Sequence, residues 1–259
     1  MLSGAVVAQE EPDRLPFEGG TLTITEVEGG EKLLAFDGRL IARNYTVFFD
    51  RVVEVAGTQV ALVAIGQGGN ACGTSTIVVW RGGTEVQDDF VGDDCSGPPP
   101  AVSDEAIYFV PYLLPGETGI VQRWTPAERL VDLGELSFAP QAGSTWADLD
   151  PAAITHPIDL LRNADVLAAV SALLGRDLTT YAEGLGTASM QERTDGLLAA
   201  RGCVPHACGV ADSFLAVDPA GRAVYLAKQG DGDAIASWPP VATWPAAAQA
   251  AMERAFAEQ

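Results

Sequence analysis

The chain of 259 residues is poor in basic side chains, with 15 lysines and arginines against 35 aspartates and glutamates and a formal net charge of -20. That deficit excludes nucleic acid as a partner, because a polyanion is repelled by such a surface. Histidine is scarcer still: His156 and His206 are the two, and no G-x-S-x-G pattern occurs, so a Ser-His-Asp hydrolase has little support. No apolar stretch reaches the ~18–20 residues that a membrane span needs. Cysteine is limited to four residues. Neither C-x-x-C nor C-x-x-C-H is among their spacings, which argues against a thioredoxin-like redox pair and excludes a covalently attached haem.

What is present is a globular composition, 47% hydrophobic and 19% charged, over a length that suggests two domains. The acidic excess is uneven: residues 1–149 hold 22 acidic and 8 basic side chains, residues 150–259 hold 13 and 7. Such a charge keeps a protein soluble and also draws a cationic partner toward it. Near the start, Val6 and Ala8 loosely fit a small-residue cleavage site and polar Gln9, Glu10 and Glu11 follow at once. Residues 1–19 are therefore read as a signal remnant and tail, and the protein as periplasmic or secreted. The cysteines form two local sets, Cys72 with Cys95 and Cys203 with Cys208. Two intradomain disulfides are the simplest of three possible pairings; in a reducing cytoplasm the same spacing points instead to metal or redox chemistry.

Residues 20–149 read as an all-β domain, a sandwich or barrel. Apolar or alternating runs such as Gln59–Ile65, Thr76–Trp80 and Ala106–Val110 are punctuated by Gly-rich and Pro-rich turns, among them Gly97-Pro98-Pro99-Pro100. Residues 150–259 read as α+β, an antiparallel sheet flanked by helices. Leu160–Leu174 has helical spacing and Gly175 a stop signal; Leu197–Ala200, Ser213–Val217, Arg222–Lys228 and Ile235–Trp238 read as strands; Ala-rich Pro245–Glu258 closes the chain as a helix.

The segment Gly202-Cys203-Val204-Pro205-His206-Ala207-Cys208-Gly209 is the most informative. A Cys203–Cys208 bridge encloses four residues in a small ring. Pro205 fixes a backbone dihedral next to His206 and restricts Val204. The arrangement holds one imidazole on a stiff projection, which gives up little conformational entropy on binding. A zinc site built on Cys203, His206 and Cys208 lacks an evident fourth ligand, His156 being the other histidine. A structural disulfide with an incidental histidine is the plain alternative.

Cys203-Val204-Pro205-His206-Ala207-Cys208-Gly209 is similar to the C-K-P-H-D-C-G signature of the Ivy (inhibitor of vertebrate lysozyme) family, and the likeness extends over roughly residues 155–259. The resemblance implies an inhibitor and not an enzyme, without cofactor or metal. Its bridged loop enters the active-site cleft of a c-type lysozyme and presents His206 to the catalytic carboxylates. Cys203 and Cys208 take the part of the bridge, and Pro205 shapes the turn. Val204 stands where the signature has lysine and Ala207 where it has an acid. C-type lysozymes are basic, so an acidic inhibitor is steered toward them. The competing reading is an exported module that binds an envelope protein or glycan without inhibiting anything.

Other patterns are weaker. Gly230-Asp231-Gly232-Asp233 is a fragment of a calcium loop without its remaining ligands and reads as a hairpin turn. Asp88, Asp89, Asp93 and Asp94 read as a solvated acidic loop beside Cys95. Asn44-Tyr45-Thr46 matches a glycosylation acceptor. Trp238 and Trp244, which bracket Pro239-Pro240, read as packing for the last helix.

Overall fold

The structure is a computed structural model that describes residues 13–69, 72–93, 95–194, 196–230 and 234–257. The proposed cleavage site, Asp94 and Asp231 to Asp233 lie outside the described residues. The chain divides into two compact units: one runs to Tyr112 and takes in Ile120–Leu136, the other takes Leu113–Gly119 and everything from Ser137 onward.

The first unit is all-β and consists of three successive four-stranded antiparallel meanders. The first sheet holds β1 (Arg14–Phe17), β2 (Gly20–Glu26), β3 (Lys32–Phe36) and β4 (Arg39–Asn44). The second holds β5 (Thr46–Val55), β6 (Thr58–Gly66), β7 (Ser75–Gly82) and β8 (Glu85–Val91). The third holds β9 (Pro100–Val102), β10 (Ile107–Phe109), β11 (Thr118–Thr125) and β12 (Arg129–Ser137).

The second sheet is covered on both faces. Ala61, Val63, Ile65, Ile77 and Val79 pack on Phe17, Leu22 and Leu34 of the first sheet. The residues between them, Val60, Leu62, Val78 and Trp80, pack on Ile107, Phe109 and Trp124 of the third. A strand whose successive side chains point to opposite faces must be apolar at every position when both faces are covered. That is why β6 and β7 read as continuous hydrophobic runs. The sandwich thus has three layers.

Asp88 and Asp89 belong to strand β8 and not to a solvated loop. The Asp89 carboxylate accepts a hydrogen bond from the Trp124 indole at 2.9 Å and an ion pair from Arg129, and the Arg129 guanidinium lies 5.2 Å from the centre of the Trp80 ring. Asp93 does sit in a turn, where its carboxylate accepts from the Ser96 and Cys95 amides. These two hydrogen bonds hold its pKa below the ordinary carboxylate value. The Cys72–Cys95 disulfide, with Cα atoms 4.7 Å apart, ties the β6–β7 loop to the chain leaving β8.

The second unit places a five-stranded antiparallel meander between two helical layers. Its strands are β13 (Thr187–Thr194), β14 (Leu197–Cys203), β15 (Asp212–Asp218), β16 (Ala223–Gln229) and β17 (Ile235–Trp238). On one face α1 (Pro157–Leu161), α2 (Ala164–Leu174) and α3 (Leu178–Glu183) bury Leu161, Val166, Val170 and Tyr181 against Leu198, Leu215, Val217 and Leu226. On the other face α4 (Ala246–Ala257) buries Ala248, Ala251 and Met252 against Leu197, Phe214 and Ala216.

The single helix expected from Leu160 to Leu174 is broken at Arg162–Asn163. Asn163 caps α2 by accepting from the Asp165 and Val166 amides at 3.1 and 3.2 Å, a stable arrangement that a continuous helix cannot offer. Trp244 packs the last helix as expected, but Trp238 packs on the opposite face, edge-on to Tyr181 at 6.4 Å.

Leu62→Ala in the two-sided second sheet should cost about 2–5 kcal/mol, from lost burial and the cavity left behind. Leu40→Ala, on a side chain that is 55% exposed, should cost less than about 0.5 kcal/mol. Urea denaturation of the two variants checks the contrast, and equal costs would contradict the three-layer core.

Candidate functional site

The β14–β15 hairpin carries the loop. Cys203 pairs with Asp212 at the end of the ladder, and Val204 donates one further backbone hydrogen bond to the Ala211 carbonyl at 3.1 Å. The residues between them form two tight turns. In the first, Ala207 donates to the Val204 carbonyl at 2.9 Å with Pro205 and His206 at the two central positions. Pro205 supplies the fixed negative φ of a type II turn, and His206 takes the left-handed position with φ of 65°. A residue with a Cβ pays about 1 kcal/mol there, although histidine tolerates it better than most. In the second turn Val210 and Ala211 both donate to the Ala207 carbonyl, at 3.2 and 2.9 Å, with Gly209 at φ of 89°.

The Cys203–Cys208 disulfide closes the first turn, its Cα atoms 4.9 Å apart. Cys203 is buried at the strand end, whereas Pro205, His206 and Cys208 are exposed and Val204 and Ala207 half-buried. Val210 is 70% exposed. The tip therefore shows one imidazole among apolar surface, and His206 is the sole titratable side chain from Cys203 to Ala211.

Beneath the tip lies a polar anchor. Asp212 and Arg201 are both buried and form an ion pair. The second Asp212 oxygen accepts from the Gly209 amide at 2.7 Å, which fixes the second turn from below. Arg201 also donates to the Ala255 carbonyl at 2.6 Å, in the last turn of α4, where the helix dipole favours a cation. The Asp212 amide donates to the Gln229 side chain at 3.3 Å. One carboxylate thus joins strand, loop and helix. Next to it, Ser213 donates to the Tyr181 carbonyl at 2.9 Å and the Tyr181 hydroxyl donates to Phe214. Burial raises the Tyr181 pKa well above its ordinary value, so the phenol stays a donor. Gly202 is required for a different reason: a Cβ there would meet the Leu185 backbone at 2.7 Å.

The structure does not bring His156 into this site. Its Nδ1 accepts from the Ile158 amide at 3.2 Å and caps α1, while Nε2 faces the Gly186 carbonyl at 3.2 Å and so carries the proton. The zinc reading needed thiolates, and all four cysteines are in disulfides. Among the described residues no group of three or more His, Cys, Asp or Glu side chains is placed to hold a metal. Arg201, Asp212 and Gln229 were missed from sequence, although Arg201, the one charged residue of the wholly buried strand β14, was a visible signal.

Residues 18–137 match the family described as Y4bG N-terminal domain, and residues 165–258 match the family described as Inhibitor of vertebrate lysozyme (Ivy). The second match contains the whole loop and its anchor. Protein y4bG of Sinorhizobium fredii (strain NBRC 101917 / NGR234), described there as uncharacterized, is 34% identical over 242 residues, which cover 93% of this chain and 88% of that protein. No solved structure matches the chain.

Asp212→Asn should destabilise the protein by about 3–5 kcal/mol, because Arg201 is left buried without its counter-charge. Chemical denaturation measures this, and a loss below about 1 kcal/mol would show that the pair does not anchor the loop.

Proposed function

The chain belongs to the family of protein y4bG and carries an Ivy domain toward its C-terminal end, and from that premise we propose that it is a proteinaceous inhibitor of c-type lysozyme. The observation that carries this reading is the exposed His206 on a turn closed by Cys203–Cys208 and fixed from below by Asp212. The cleft of such an enzyme holds two carboxyl groups, one acting as acid and one ionised. A neutral imidazole has one donor and one acceptor nitrogen. Inserted between the two groups, His206 donates to the ionised carboxylate and accepts from the protonated one, while the ring of residues 203–208 occupies the space of the sugar chain.

The loop brings no nucleophile and no second titratable group, so the reading is occlusion and not catalysis. Its two turns are already formed, which keeps the entropy cost of docking low. Val204 and Ala207 leave His206 without charged neighbours on the loop. Relative to a loop with an acid after the histidine, one polar contact of about 1 kcal/mol is absent, and the preferred enzyme is one whose cleft mouth accepts apolar surface. The net charge of -20 speeds encounter with a basic enzyme at low salt. Both disulfides fit an oxidising compartment, and no helix among the described residues is long and apolar enough to cross a membrane. This supports a periplasmic or secreted protein that shields a bacterial wall.

Hydrolysis of bacterial cell walls by a c-type lysozyme, titrated with this protein, should fall to completion near equimolar ratio. His206→Gly should keep the turn, since relief of left-handed strain and the extra entropy lost by glycine, each about 1 kcal/mol, nearly cancel. That variant should nevertheless inhibit at least about tenfold more weakly, and raising the salt should slow association of the unaltered protein. Full inhibition by His206→Gly would refute the loop mechanism. No inhibition by the unaltered protein at low salt would leave an envelope protein or glycan as its partner.

A further inference from the structure

The first unit contains a cavity of about 360 Å³ on the face of the second sheet that looks toward the third, a size at the low end of small-ligand sites. Phe48, Ala64 and Thr76 lie side by side in its floor, paired across β5, β6 and β7. Ala64 is the small residue of the row and leaves depth where Leu62 and Val60 fill the same face further along. One wall is the Gly97–Pro100 strap, held by the Gly97 amide on the Thr74 carbonyl at 3.1 Å and by Arg51 on the Pro100 carbonyl at 2.8 Å. The other is Gly73–Thr74, beside the Cys72–Cys95 bridge. Exposed Ser96 and Asp50 bring the mouth to solvent.

Thr76 is the telling residue. The residue has 8% exposure. Its hydroxyl makes no hydrogen bond to any described residue, and the oxygen keeps contact with the cavity's solvent, since the fully buried side-chain atoms without a hydrogen-bond partner among the described residues are the Nε atoms of Arg81 and Arg123. The other buried polar side chains there do have partners. Ser75 bonds the Asp93 carbonyl, Ser144 the Gln141 carbonyl, Asn163 the Thr145 carbonyl, Ser213 the Tyr181 carbonyl, and Arg201 pairs with Asp212. The Thr76 hydroxyl is therefore open to bond whatever enters the cavity, and valine would fill the same space without offering that bond. A second feature points the same way. Asp50 is the extra residue of a β-bulge, with Phe49 opposite Val63 and Arg51 opposite Leu62. Bulges re-aim a side chain, and this one sets a carboxylate at the rim.

We propose that this cavity binds a neutral pyranose ring, with Thr76 and Asp50 taking its hydroxyls and Phe48 lying against its C–H face. A pyranose has both an apolar face and a rim of hydroxyls that donate and accept. Asp50 has the Arg51 guanidinium at 3.5 Å, so this part of the rim carries little net charge and offers acceptor oxygens. An anion is disfavoured by the 22 acidic against 8 basic residues of the N-terminal 149. The site belongs to the first unit and does not rest on lysozyme inhibition.

The test is protein-observed NMR titration of the full chain with N-acetylglucosamine, its linear trimer, methyl β-glucoside and, as an apolar control, cyclohexanol. We expect saturable shifts at Phe48, Ala64 and Thr76 with at least one saccharide and none with cyclohexanol. Tighter binding of the trimer marks a glycan chain and equal binding a free sugar, and either supports the site. Thr76→Val should weaken binding about tenfold with a denaturation midpoint unchanged or raised, Thr76→Ser should retain it, and Asp50→Asn should weaken it without loss of fold. Absence of saturable shifts with every saccharide, cyclohexanol binding as tightly, or Thr76→Val binding like the unaltered protein would each overturn the proposal.

Discussion

The loop depends on one buried ion pair. Eight residues, Val204 to Ala211, leave the sheet between β14 and β15 and carry too little apolar surface to hold their own shape. Asp212 supplies what the loop lacks: it grips the Gly209 amide above and Arg201 below, and Arg201 reaches the end of α4. A buried charge pair is tolerated only when its remaining donors and acceptors are also satisfied, and here the satisfying groups come from strand, loop and helix. The disulfide and Pro205 constrain the first turn. Asp212 fixes the second and sets both on the sheet. The pair therefore links the packing of the C-terminal helix to the pose of His206.

The same division, an apolar scaffold with a few polar groups placed against it, explains which parts of the fold were legible. Gln59–Ile65 and Thr76–Trp80 could be read because strands covered on both faces are apolar throughout. β12 and β13 escaped notice because they are edge strands: Arg129–Ser137 is largely exposed and Thr187–Thr194 is rich in polar residues, so neither alternates. The break at Arg162–Asn163 was hidden because helical spacing continues across it. What separates α1 from α2 is the Asn163 side chain, a cap whose effect depends on the Thr145 carbonyl and Ser144 hydroxyl around it. Trp238 and Trp244 look equivalent in sequence, yet the strand and turn between them send the rings to opposite faces of the sheet.

The candidate site divides similarly. Cys203, Pro205, His206 and Cys208 announce a stiff loop by their spacing alone. Arg201 and Asp212 are eleven positions apart and become partners only through the register that sets Cys203 opposite Asp212. Thr76 gives no sequence signal at all, since threonine is an ordinary strand residue; its importance comes from an absent hydrogen bond, which only the packed sheet reveals.

The central claim is that a loop already rigid in the free protein is what meets the enzyme. Amide exchange and chemical shifts, recorded for the free protein and for its mixture with a c-type lysozyme, test it together. The account predicts that the Gly209 and Ala211 amides are protected in both states and that the largest shift changes fall between Val204 and Val210. Changes centred elsewhere on the chain, or protection of those two amides gained only in the mixture, would contradict it.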